Sequence, residues 1–155
     1  VKKIVAAVPS FRLDRKAQNT VLGRIGDTRF SLFFYEYPLL FKPSDFGGIA
    51  IADIRDIAPM KIAAIADRGI KRDFIDLYFI IAEAKIATLQ ECLDLYDRKF
   101  KKLAQNRVHL LKSLLYFDDA EESEMPRMIK AVSWDTVKRF FINEEKRIAK
   151  ELFGV

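Results

Sequence analysis

The sequence predicts an α+β fold: a small, largely antiparallel sheet packed on a bundle of about five helices. Three observations carry that expectation. The turn pair Gly26-Asp27 separates two segments rich in β-branched and aromatic residues, the mark of a hairpin. From Ile70 onward, apolar residues recur at the three- and four-residue spacing of helices. Phe is abundant, 13 residues in a chain of 155, which points to an aromatic-rich core large enough to hold one domain together.

Each element can be placed in order. VKKIVAAV reads equally as the end of a helix or a short strand, and Pro9-Ser10 breaks it. Strands are expected near 19–25 and 29–35, with Pro38 ending the second. Gly47 and Gly48 make a loop, followed by a short buried strand, IAIA at 49–52. Asp56 suits a helix N-cap, Pro59 is tolerated in the first turn, and Gly69 stops the helix after Arg68. A second helix is expected over 71–84. The capping box TLQE at 88–91 opens a third over 89–102. A fourth covers 105–116, an acidic loop FDDAEESEMP follows, and Ser133 caps the final WDTVKRFFINEEKRIAKELF. No repeat or linker divides the chain. A single domain over 1–155 is expected, with the sheet in 1–55 and the helices in 56–155.

Composition excludes several function classes. One cysteine, Cys92, and one histidine, His109, supply neither an intramolecular disulfide nor a Cys/His zinc set. Both read as packing or surface residues, and the lone thiol suits the cytoplasm. No run approaches the ~20 apolar residues of a membrane span. Phosphate cradles of the P-loop kind are absent. A net charge of +5 favours polyanionic partners, yet no nucleic-acid-binding pattern accompanies it. Phe100, Phe140, Phe141 and the aromatics of FFYEY read as core rather than stacking platforms. The run DDAEE at 118–122 reads as a solvated helix end, because contiguous acids rarely converge on a metal.

The informative stretch is KIAAIADRGIKRDFIDLYFI, 61–80, which sets charges among apolar residues. Lys61, Ala64 and Arg68 fall on one helix face, and Ala64 leaves room for a ligand between two cations. After the Gly69 turn, Arg72, Asp73 and Asp76 occupy the first turns of the next helix. A carboxylate there cannot stay unpaired without a cost of several kcal/mol, so Asp76 is expected to face Arg68, Arg72 or Lys61. Two readings remain open: a structural clamp of mutually neutralising charges, and a phosphate and metal site, with cations holding a triphosphate and carboxylates steering a divalent ion.

The pattern K-x-x-A-x-x-x-R-x-x-x-R-D-x-x-D-L, filled by Lys61, Ala64, Arg68, Arg72, Asp73, Asp76 and Leu77, resembles the C-terminal motif of the AbiEii/AbiGii toxin-type nucleotidyltransferases, within the polymerase-beta-like superfamily. DIAPM, LYFI, YFDDAE and the late W..VK..F extend the resemblance from about Arg29 to Phe141. It implies that Lys61 and Asp76 act at a nucleotide site and that Arg68 and Arg72 support phosphates or pair with the acids. Asp73 would order the turn between the helices. Magnesium and a nucleoside triphosphate are the implied ligands of the complete enzyme, and an antitoxin is an implied partner.

One departure is expected to matter. The superfamily's reaction needs a Gly-Ser or Gly-Gly turn followed by an Asp-x-Asp or Asp-x-Glu pair on a neighbouring strand, where it binds metal. No such element is found: GDTRF holds one Asp, and Asp53 and Asp56 stand three apart. Its expected place lies upstream of Val1, so no metal ligand is assigned. Glu36 is the one candidate for a third carboxylate on the adjoining strand. This chain alone is therefore expected to be inactive, as a fragment, a degenerate relative or a non-catalytic interaction module contacting an antitoxin or nucleic acid.

Overall fold

The computed structural model describes residues 2–101 and 106–153, so the expected end of the third helix at 102 and the start of the fourth at 105 lie outside the described residues. The chain forms two compact units, 1–37 and 38–155. The α+β class holds, with antiparallel sheets of three and two strands and five helices of seven residues or more among those described.

In the first unit, α1 (Lys2–Ala7) leads into a meander of β1 (Phe11–Ala17), β2 (Thr20–Ile25) and β3 (Thr28–Phe33). The Gly26-Asp27 hairpin is present, with Ile25 paired to Thr28. Strand β1 was not read as one: in FRLDRKA four charged residues outnumber the apolar ones, and Arg15 interrupts the alternation of Phe11, Leu13 and Ala17 where the register shifts. A two-residue turn with Asn19 at φ +57° joins it to β2. Gly23 is opposite Phe30, with Phe11 one step diagonal. The Phe11 and Phe30 rings meet edge to face at 6.2 Å. The expectation that FFYEY is core is corrected: Phe33 and Phe34 are exposed, at 59% and 71%. Glu36 is also corrected, lying exposed in the coil after β3 rather than on a strand.

The second unit opens with β4 (Ser44–Phe46) paired to β5 (Ile49–Ile51). The expected burial of IAIA does not occur, since a two-stranded ribbon has no third strand and Ile49 remains 63% exposed. Helix α2 (Ile54–Asp67) is capped by Asp53, whose carboxylate accepts from the Arg55 backbone N–H at 2.9 Å. The Arg55 guanidinium and that N–H lower the Asp53 carboxyl to about 2. Asp56 is thus one turn inside the helix, with a different task described below. Gly69, at φ +52°, supplies the left-handed residue that ends α2, and its N–H bonds to the Ala64 carbonyl.

Helix α3 (Lys71–Tyr78) passes into a wide π turn, Phe79–Glu83, closed by Ala84 N–H to the Phe79 carbonyl at 2.8 Å. Helix α4 (Leu89–Lys99) opens with the expected reciprocal capping box of Thr88 and Glu91. Helix α5 (Arg107–Ser113) follows. DDAE forms a single turn, α6 (Asp118–Glu121), where a loop was expected, because Ala120 is fully buried and anchors it. Ser133 caps α7 (Trp134–Phe153), accepting from the Thr136 N–H.

The core follows helical spacing: Ala58, Ile62 and Ile65 on α2; Cys92, Leu93 and Tyr96 on α4; Val137, Phe141 and Ile148 on α7. At its centre the Phe74 ring touches Phe117, Trp134 and Phe141 at 5.4–5.7 Å. Cys92 is fully buried, and burial pushes its thiol up to about 12, as befits a packing residue.

Candidate functional site

Helices α2 and α3 meet at Gly69 and run back against each other, which brings the charged pattern of both together. Lys61 is the hub. Its Nζ lies 3.2 Å from Asp73 Oδ1 and 2.5 Å from Asp76 Oδ2. The pairing expected for Asp76 is found, and Lys61 is the partner among the three candidates.

Asp73 is the more deeply buried acid. Its side chain is fully covered, whereas that of Asp76 is 43% exposed. Besides Lys61, Asp73 accepts from Arg68 Nε at 3.0 Å and Nη2 at 3.2 Å, a two-pronged pairing that a guanidinium is shaped to make. The hydrogen bond to Asp73 raises the Arg68 guanidinium above its usual range. Asp73 thereby does more than order the turn: it is the acceptor that draws Lys61 and Arg68 to one point. Arg72 is exposed on α3, with no ion-pair partner among the described residues. Glu36 belongs to the first unit and Lys61, Arg68, Arg72, Asp73 and Asp76 to the second.

Two grooves adjoin this cluster and share Asp76 and Phe79. One, of about 330 Å³, is walled by Ile54, Ile57 and Ile80 with Lys61 and Glu83 at its edge. The other, of about 440 Å³, lies between α3 and the segment 126–130, with Arg72 and Arg127 among its walls. A further cleft of about 350 Å³, lined by residues that include Asp67, His109, Lys112 and Asp119, shares no residue with either.

Sequence reading missed two buried lysines. Lys99 Nζ, fully covered, lies 2.7 Å from Asp56 Oδ1 and 2.8 Å from the Pro38 carbonyl. Asp56 also accepts the backbone N–H groups of Leu40 and Phe41 at 2.9 and 3.0 Å. Burial alone would raise the Asp56 carboxyl; those N–H groups and the Lys99 ammonium outweigh it, and the carboxyl is lowered. A signal existed, because Lys99 falls three and four residues beyond the core residues Tyr96 and Leu95. Lys71 Nζ donates to the carbonyls of Glu121 and Ser123 at 3.1 and 2.6 Å. It carries no such signal, since its acceptors lie some fifty residues away.

The described residues do not form a divalent-metal site. Among the described residues no three His, Cys, Asp or Glu side chains converge to hold an ion. The five strands carry at most one carboxylate each, Asp14 on β1 and Asp45 on β4. Nor is any described helix long and apolar enough to cross a membrane.

Comparison with known proteins agrees with the family resemblance. A family model described as nucleotidyl transferase AbiEii toxin, type IV toxin–antitoxin system, matches residues 35–150. The chain is 38% identical over 138 residues to the uncharacterized protein aq_aa25 of Aquifex aeolicus (strain VF5), a match covering 88% of this chain and 63% of that protein. No solved structure matches. With the matched span running through the β4–β5 ribbon, the Lys61–Asp76 cluster and most of α7, the chain belongs to the AbiEii family of nucleotidyltransferase toxins of type IV toxin–antitoxin systems.

Proposed function

We propose that this chain carries the phosphate-handling half of a nucleotidyltransferase site, with Lys61 and Asp76 at its centre and Arg68 and Arg72 in support. The observation that carries the reading is the placement of Lys61. Its ammonium is held between two carboxylates, stays 21% exposed, and shares a groove wall with Asp76. An ammonium so oriented is an electrostatic anchor for a phosphate oxygen. The buried Asp73, paired with Arg68, is the rigid support behind it. Asp76, half open to solvent, is the carboxylate that a ligand can reach.

Nucleoside triphosphate and magnesium are the ligands that family membership suggests. Among the described residues no side-chain set fits the metal, so no step through it is assigned to them. Residues 1–155 alone then bind nucleotide without transferring it. The acceptor and the nucleobase stay open in this reading, and an antitoxin is the partner the family suggests.

A second reading has one observation behind it: the two-pronged Arg68–Asp73 pair at a fully covered carboxylate is what a purely structural clamp would contain. Lys61→Met separates the two. A phosphate anchor predicts a melting temperature within a few degrees of wild type, because Arg68 still neutralises Asp73, together with at least tenfold weaker binding of ATP, GTP, CTP or UTP. A clamp predicts a loss of roughly 3 kcal/mol in stability and unchanged nucleotide binding by the folded fraction. That second result would discard the phosphate reading.

A further inference from the structure

The segment between α6 and α7 is tied to α3 and its π turn at both ends. At its start, Ser123 Oγ accepts the Lys71 backbone N–H at 2.9 Å, and Lys71 Nζ donates to the carbonyls of Glu121 and Ser123. At its end, Lys130 pairs with Glu83, whose other oxygen accepts the Tyr78 hydroxyl at 3.1 Å. The strap 124–130 is thus drawn across the helix that bears Arg72 and Asp76. The groove beneath it, about 440 Å³, is lined by Arg72, Ile75, Asp76, Phe79, Arg127 and Lys130 among others. That size falls within the roughly 300–1,000 Å³ of small-ligand sites.

The charges in this groove do not cancel. Asp76 is taken by Lys61 and Lys130 by Glu83. Arg72 and Arg127 come from opposite walls, both exposed, and neither has an ion-pair partner among the described residues. Two unopposed guanidiniums across a groove call for an anion with oxygens on two sides. We infer that Arg127, on the strap, and Arg72, on α3, form a two-sided clamp for the phosphate chain of a nucleoside triphosphate whose reactive end lies at Lys61 and Asp76. This rests on the nucleotide reading above. It adds a strap residue distant from the helical motif, and it explains why two separate ties hold the strap in place: an Arg already positioned loses less freedom on binding.

The test is calorimetric titration of the full chain with inorganic triphosphate and, in parallel, with the four nucleoside triphosphates. Arg127→Ala should weaken both kinds of ligand about tenfold or more. Arg127→Lys should restore part of the loss, keeping the charge and losing the planar fork. Arg98→Ala, an equal charge change at an exposed site on α4, should stay within twofold of wild type.

Wild-type affinity in Arg127→Ala, or equal weakening by Arg98→Ala, overturns the clamp, as does a wild-type chain that takes up no triphosphate. Weakened binding of a single-stranded RNA oligonucleotide with intact triphosphate binding also overturns it, assigning the groove to nucleic acid. The two readings can fail separately. If Lys61→Met weakens triphosphate binding and Arg127→Ala does not, the site stands without the strap. If only Arg127→Ala weakens it, the groove stands and the Lys61 anchor falls.

Discussion

At the scale of single residues, the largest electrostatic commitment is the covered pair Asp56–Lys99 rather than the motif. Asp56 has three donors within hydrogen-bond reach: the backbone N–H groups of Leu40 and Phe41 and the Lys99 ammonium. Removing one partner of a covered pair strands the other. Asp56→Asn should therefore lose roughly 3–5 kcal/mol at pH 7 by urea denaturation. The pH dependence has a definite sign. Because the folded-state carboxyl lies below its ordinary value, its contribution is complete above the ordinary carboxylate range and is lost as pH falls through the lowered value. Wild type should lose more stability than Asp56→Asn between pH 7 and pH 3. Equal stability of the two proteins at pH 7 would show that the pair contributes nothing net.

At the scale of elements, the meander in 1–37 depends on a close approach. A Cβ at Gly23 would stand 2.4 Å from Phe11 Cζ and 2.5 Å from the Arg12 carbonyl oxygen. The ring can swing aside, but the carbonyl belongs to the backbone of the paired strand. Gly23→Ala should cost about 1–3 kcal/mol in that unit, read as faster amide hydrogen exchange in β1 and β2. Unchanged exchange would mean that the strands part without penalty. Elements announced by local chemistry were legible: the Gly26-Asp27 hairpin, the Thr88 capping box, Gly69 as a stop and Ser133 as a cap. Strand β1 and the π turn were not, since Arg15 breaks the alternation of FRLDRKA and FIIAE has the composition of any buried helix. The N-cap of α2 was placed three residues late because Asp53 and Asp56 are equally good caps in isolation. Only the backbone N–H groups of Leu40 and Phe41, arriving from the preceding coil, divert Asp56 to another role.

At the scale of the whole molecule, the family relation and the carboxylate inventory pull apart. Polymerase-type transfer rests on paired carboxylates that steer metal, and each described strand offers at most one. Residues 1–155 incubated with magnesium and labelled nucleoside triphosphates should give no transfer to self, RNA or water, while binding is retained. Metal-dependent turnover by these residues alone would refute that expectation. The chain spans 63% of the Aquifex relative's length, so reading the coding frame around this sequence is the natural companion experiment. A Gly-Ser turn with an Asp-x-Asp pair in that frame would supply the metal-binding half.

By itself, the sequence determined the α+β class, the order of the longer helices and the spacing of the charges from Lys61 to Asp76. These follow from spacing and capping, which act over a few residues and can be read from neighbours. Only the tertiary structure decided that Lys61 is the partner of Asp76, that Asp73 is the covered acid, that Asp56 meets Lys99 across 43 positions, and that Arg127 faces Arg72 over a groove. Those pairings depend on which surfaces are brought together when water is expelled. A charge selects its partner by distance and burial, and neither is written in the local order of residues.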